Sequence, residues 1–425
     1  MKVLMVTPIK QGSGETITSL HMAEDLVSQG HTVLFLASTF AQRFIVKQFP
    51  KRISLLTNDG ARNRSIWKST LRDFCPNVIV FADYPLMFFS GGTAPLALEP
   101  GWMESLEALR VCLVTLDHFG FAQRETGLFL GPPHLGLYYQ QFPPRPKKMH
   151  ILLPCPMHEP GEVKGREGLP FRYWKVPLHL PEKMSSAARR QYSRSRDDLL
   201  VFHSVPSWAW RHSNALGLTF YEHLPKIFEH YFGKLRQPVT IVSVNNGRLL
   251  TSPPGSTIRI VNLGPVPKSE FESLLFGSDL MVTENKLSIS LGKAICGLQP
   301  CATLKNSYRL VELMERVDGK LLEAIIAMED ARLGSVFPFE VFPTVAREQL
   351  DEIGLYRGNT ITKGFWELEI YGGKNTVRAV RLMLTDTKIR ARLQAGQNSY
   401  IRRLQRLRGS TEVLTHLVER DGSLH

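Results

Sequence analysis

Residues 1–38 read MKVLMVTPIKQGSGETITSLHMAEDLVSQGHTVLFLAS, and the order of patterns in them decides the fold. Val3–Thr7 is a short apolar run, Gln11–Gly14 a Gly/Ser turn, Thr18–Gln29 an amphipathic helix pattern, and Thr32–Ala37 a second apolar run after Gly30-His31. Strand, turn, helix and strand in that order make a βαβ unit, which requires a parallel sheet. Further β-branched and aromatic runs bounded by turn residues, Asn77–Phe81 and Val111–Leu116, extend it.

Working outward, the stretch from about Leu128 to Leu180 becomes rich in Pro, Gly and His, including FPPRPKK and LLPCPMHEPG. Missing backbone donors there work against long regular elements. The basic, Ser-rich SSAARRQYSRSRDD then leads into a new apolar strand, Leu199–His203, so the crossing between domains is expected at residues 180–197. Strands at Val239–Val244, Thr257–Val261 and Leu280–Thr283 repeat the logic of the first half. A helical segment follows Leu310, VFPFEVFP opens a loop to about Lys363, and helices run from Asn375 onward. At 425 residues the chain suits two domains. The expected class is α/β, with two Rossmann-like domains facing across a cleft: 1–185, 198–375, and C-terminal helices 376–425 returning to brace the first.

Hydrophobic content of 43% and aromatic content of 9% mark a globular chain rather than a disordered one. No segment reaches the roughly 20 apolar residues of a membrane span. The opening apolar run of about seven residues is too short for a signal peptide, so a cytoplasmic location is expected. The five cysteines, Cys75, Cys112, Cys155, Cys296 and Cys301, are scattered and mostly lie in apolar runs, as reduced core thiols do. Neither CxxC nor HExxH spacing occurs, so no metal is expected. A net charge of +13 favours anionic partners such as nucleotide phosphates, acidic lipids, nucleic acid or an acidic carrier. The excess concentrates at Arg145–Lys148, Arg189–Arg196 and Lys388–Arg408, where solvated faces are the plainer reading.

Gly12, Ser13, Gly14 and Glu15 stand between the first strand and the first helix. A glycine-rich turn at that place lets backbone approach a ligand and points helix N-terminal amides at the carboxyl ends of the strands. Asp83 after VIVFA and Asp117-His118 after VCLVTL lie near other strand ends, as functional groups or as turn and cap residues. A second junction, Thr283-Glu284-Asn285-Lys286-Leu287-Ser288-Ile289-Ser290, runs from a strand into a helix, with Gly297 and Pro300 beyond. Lys286 can neutralise a phosphate there while Asn285, Ser288 and Ser290 donate to its oxygens; the alternative is a Ser-capped helix with a solvated lysine.

The segment PIKQGSGETITSLHMAEDLVSQGHTVLFLAS resembles the opening of GT-B glycosyltransferases, whose turn ends in a histidine about eight residues before a helix alanine and whose helix leads into a GH-x-V element. Glu15 stands eight residues before Ala23, and Gly30, His31, Thr32 and Val33 match that element. The resemblance places Glu15 in the slot of the catalytic base, where a carboxylate serves if its pKa is lifted; an acid favoured by the helix dipole is the other account. Asp117 or His118 is the alternative base. The second junction resembles the family's T-H-G-G donor segment through Thr283, Ser288 and Gly297, with Glu284, Asn285 and Lys286 in place of His-Gly-Gly. The same likeness puts Ser204 and Ser207 against a donor and Glu367, with Glu369 beside it, near sugar hydroxyls. Trp208 and Trp210 can stack on a ring or fill a core.

The resemblance implies transfer of a sugar from a nucleotide-sugar donor to a hydroxyl or amine of a small-molecule acceptor, such as a natural product, by metal-independent inverting displacement. It implies no cofactor beyond the nucleotide-sugar co-substrate. The rivals are a nucleotide-sugar epimerase of the same fold and a non-catalytic shell that holds nucleic acid or an acidic partner. Repeated basic-aromatic motifs of the kind that bind single strands are not evident.

Overall fold

The computed structural model describes residues 1–10, 14–88, 102–123, 128–129, 139–140, 145–174, 182–205, 220–244, 255–308, 312–313, 322, 329–330, 335–336, 351, 354–355 and 358–422. The first sheet holds β1 (Lys2–Thr7), β2 (Thr32–Ser38), β3 (Ile53–Leu56), β4 (Val78–Phe81), β5 (Cys112–Leu116), β6 (His150–Cys155) and β7 (Leu169–Arg172). All are parallel, in the order β3-β2-β1-β4-β5-β6-β7. The second sheet holds β8 (Leu199–Ser204), β9 (Val239–Val244), β10 (Ile258–Leu263), β11 (Leu280–Thr283), β12 (Cys301–Lys305) and β13 (Trp366–Glu369). It too is parallel, in the order β10-β9-β8-β11-β12-β13.

The helices are α1 (Gly14–Ser28), α2 (Thr39–Ile45), α3 (Gly60–Phe74), α4 (Trp102–Ala108), α5 (Glu182–Tyr192), α6 (Phe220–Phe232), α7 (Lys268–Gly277), α8 (Ile289–Cys296), α9 (Lys374–Thr385), α10 (Thr387–Gln405) and α11 (Ser410–Arg420). They cover both faces of each sheet. Val3 and Met5 of β1 pack with Leu20 and Ala23 of α1, whereas Leu4 and Val6 pack with Trp67 of α3 and Leu106 of α4. This period-two division makes central strands apolar on both sides.

The strands β3, β6, β7, β12 and β13 were not legible in the sequence. Pro154 and Pro170 hide β6 and β7, but β7 is an edge strand, where a missing donor is tolerated. The expected crossing at 180–197 is instead largely α5, which belongs to the second domain. Its Ala188 and Tyr192 enter the core built by Leu200, Phe202 and Leu274, and Arg189 pairs with Asp279. Of the C-terminal helices, α9 buries Val380 and Met383 in the second domain, and α10 buries Tyr400 and Leu404 there. Only α11 joins the core of the first domain, through Val413, Leu414, Leu417 and Val418. Most residues between 309 and 357, including VFPFEVFP, lie outside the described set. Cys112, Cys155, Cys296 and Cys301 are buried free thiols, and Cys75 is exposed. Among the described residues no helix is long and apolar enough to cross a membrane.

The residues following β6 lock the two domains together. Asn359 Nδ2 donates to Met157 O at 2.7 Å, the Thr360 backbone N–H donates to Glu159 Oε2 at 2.6 Å, and Arg403 pairs with Glu159 Oε1 at 2.6 Å. Pro156 faces α8 so closely that a methyl group on Gly292 would lie 2.9 Å from Pro156 Cγ.

Candidate active site

The β1–α1 turn brings the first candidate base to the cleft. Gly12 and Ser13 lie outside the described residues; Gly14 and Glu15 open α1. Glu15 is buried, with its own backbone N–H close to its carboxyl. Burial lifts its pKa above the ordinary carboxylate value, and that N–H offsets part of the rise. A methyl group on Gly14 would lie 3.4 Å from Ile289 Cδ1, at the first residue of α8. The two strand–helix junctions singled out in the sequence therefore meet across the domain seam.

Asp83, Asp117 and His118 are all buried at strand ends. Asp117 braces its own loop: Oδ1 accepts from the Phe121 backbone N–H at 2.9 Å and Oδ2 from Gln123 Nε2 at 3.2 Å. Burial raises its pKa to about 6 against those hydrogen bonds. Thr18 gives its hydroxyl hydrogen to Gly14 O at 3.0 Å, so it accepts from His118 Nε2 at 3.2 Å. That assigns the hydrogen of the neutral ring to Nε2 and leaves the lone pair on Nδ1, which has no partner among the described residues. Burial lowers the His118 pKa to about 3. His158, which the sequence did not flag, repeats this arrangement, with Nε2 donating to Asp117 O at 2.7 Å and a pKa lowered by burial to about 3.

Across the cleft, most of the expected donor residues shape their own turn. Thr283 donates to Ser204 O at 2.9 Å and accepts from the Asn285 N–H, Asn285 Oδ1 accepts from the Leu287 N–H at 3.0 Å, and Ser288 Oγ caps α8 by accepting from the Ser290 N–H at 3.1 Å. Their hydroxyl and amide groups fix the backbone that presents the start of α8 to the cleft. Glu284 does not face solvent: His203 Nε2 donates to Glu284 Oε1 at 2.7 Å in a buried pair that the sequence did not reveal. Lys286 and Glu367, expected to act apart, form an ion pair at 2.8 Å, and Lys305 holds the other oxygen of Glu367 at 3.1 Å and reaches Glu369 at 3.4 Å. Ser207, Trp208 and Trp210 lie outside the described residues.

Charged groups also line the seam below the cleft. Glu24 accepts from His21 Nδ1 at 2.9 Å and pairs with Lys268 of the second domain at 3.0 Å. Burial pushes the Glu24 pKa up, but His21 and Lys268 outweigh it and hold it at about 2. Lys293, buried on α8, pairs with Glu272 at 3.1 Å and sits 5.3 Å from the Trp174 ring centre. A pocket of 220 Å³ beside this seam is lined by His21, Glu24, Arg172 and Trp174. Among the described residues, one group of side chains of types that can ligate a metal, Cys112, His150 and Asp421, converges elsewhere on the first domain.

Two parallel doubly covered sheets, each presenting a strand–helix junction to the other, define the GT-B architecture, and the chain is a divergent member of that structural class. It belongs to the family of unknown function DUF6365, which matches residues 22–422. No curated protein is significantly similar in sequence. Similar solved structures include spinosyn rhamnosyltransferase SpnG complexed with spinosyn aglycone, 15% identical with a TM-score of 0.54, covering 98% of this chain and 100% of that one. Anabaena Alr3699/HepE in complex with UDP-glucose is 12% identical with a TM-score of 0.53 and full coverage of both chains. Glycosyltransferase VinC in complex with DTDP is 12% identical with a TM-score of 0.50, covering 99% of this chain and 100% of that one. Likeness at these identities establishes the fold.

Proposed function

We propose that the protein transfers a sugar from a nucleotide-sugar donor to a hydroxyl group of a small-molecule acceptor, inverting the anomeric centre. The contact between the Glu15 turn and the start of α8 carries this reading. A buried carboxylate in a turn that meets a helix N-terminus suits a reaction that removes a proton at one point and develops negative charge at another. The acceptor hydroxyl gives its proton to Glu15 as its oxygen bonds to the anomeric carbon; the bond to the diphosphate breaks, and its electron pair leaves with the nucleoside diphosphate. First-turn amides of α8 and Lys286 receive that charge. When Lys286 turns to the diphosphate, Lys305 still holds Glu367, so the exchange leaves no isolated carboxylate. Similar folds solved with UDP-glucose and with DTDP motivate the donor class.

The test is a thermal-shift panel of nucleosides, nucleoside diphosphates and nucleotide sugars on the full chain. A ligand at 100 times its Kd adds about 2.7 kcal/mol of stability. Diphosphates are expected to bind far more tightly than nucleosides; equal affinity would remove the assigned role of α8. Isomerisation of a bound nucleotide sugar with no acceptor present would identify an epimerase instead.

A further inference from the structure

We propose that Cys112, His150 and Asp421 form a binding site for one zinc ion, at the end of the first sheet opposite the cleft. Their ligand atoms lie within 4.8 Å of one another, and His150 Nε2 is 3.0 Å from each oxygen of Asp421. The topology brings them together. Val114 of β5 pairs in register with His150 of β6, and Cys112 lies two residues before Val114, so all three share one face of the sheet. Helix α11 covers that face, and its C-cap residue, Asp421, arrives over the strand starts.

Helix termini usually match charge the other way: a carboxylate at the C-terminus meets the negative end of the dipole. A divalent cation would satisfy the carboxylate, the helix end and a thiolate together. Thiolate, imidazole and carboxylate form a donor set suited to zinc and ill-suited to magnesium or calcium. Tetrahedral zinc would space these ligand atoms about 3.3–3.6 Å apart, a closure that small side-chain rotations supply. Cys112 is buried while His150 and Asp421 are partly exposed, so solvent reaches the ion and a water completes the fourth position. On binding, the Cys112 thiol releases its proton to solvent, and the imidazole keeps its hydrogen on Nδ1 as Nε2 takes the metal.

The experiment titrates the reduced, chelator-stripped full chain with cobalt(II), followed by competition with zinc. One equivalent should give a thiolate-to-cobalt absorption band that zinc abolishes. Cys112→Ser should lose the band, Cys75→Ser should keep it, and His150→Ala or Asp421→Asn should weaken binding on the order of 100-fold. Zinc should also slow amide exchange across residues 410–420. Absence of the band in the native chain, its survival in Cys112→Ser, or undiminished affinity in Asp421→Asn would overturn the proposal. If Cys112→Ser does not fold, the two partly exposed positions decide the matter. No sugar donor enters the measurement, so its outcome is independent of the glycosyl-transfer reading.

Discussion

The carboxyl group of Glu15 is buried in the first turn of α1 and titrates above its ordinary value. An acid whose folded pKa exceeds its unfolded pKa stabilises the fold below the unfolded value, and that contribution is lost as pH rises through the folded one. Above both values the ionised group is a burden, so Glu15→Gln is expected to match or exceed the native protein in thermal stability near pH 8. Turnover should fall about 10²–10⁴-fold with donor affinity little changed. Melting curves and kinetics on the same preparation check both; lost stability with normal turnover would make Glu15 a structural acid of the helix. His118 and His158 run the other way, because burial lowers both to about 3 and their contribution is present above pH 6.5 and lost as pH falls. Protonation of Asp117 below about pH 6 offsets part of that loss. Denaturant unfolding at pH 7 and pH 4.5 should show a large drop in stability that His158→Gln reduces. Glu15 stood out as a candidate because its slot is set by local spacing, whereas the contact of His158 depends on a partner 41 positions away and that of His203 on one 81 away.

At the scale of elements, β1, α1 and β2 could be read because two continuous apolar runs flank a longer helical segment and turn residues separate them. Strands β6 and β7 could not, since their prolines resemble loop signals, and the sheet edge accommodates only Pro170 of β7. The helix α5 looked like a linker because its Ser- and Arg-rich surface masks the few side chains that dock. At the α8 junction the sequence showed the residue types but not their local bonds: Ser288 caps the helix, Asn285 fixes the turn, and Lys286 pairs with Glu367. Lys286→Ala is expected to weaken nucleoside diphosphate binding by about 1.5–3 kcal/mol by calorimetry, with the fold intact because Lys305 retains Glu367. Gly292 on the same helix has no room for a methyl group against Pro156. Gly292→Ala should therefore destabilise the protein by about 1–3 kcal/mol in denaturant titrations, and a neutral result would mean that this seam yields easily.

Taken whole, the molecule is two sheets stitched by a chain that crosses between them more than once. The residues after β6 grip the second domain, α5 to α10 build it, and α11 returns to fill the core of the first. That return gives the protein an awkward birth. The first seven strands leave the ribosome early, yet the apolar face of α1 and β1 lacks Val413, Leu414, Leu417 and Val418 until the last stretch has been made. At about 5–20 residues per second, synthesis from Arg172 to Ser410 takes roughly 10–50 s. Throughout that interval the nascent first half carries an uncovered hydrophobic stripe, a natural handhold for chaperones. The half synthesised first is the half completed last.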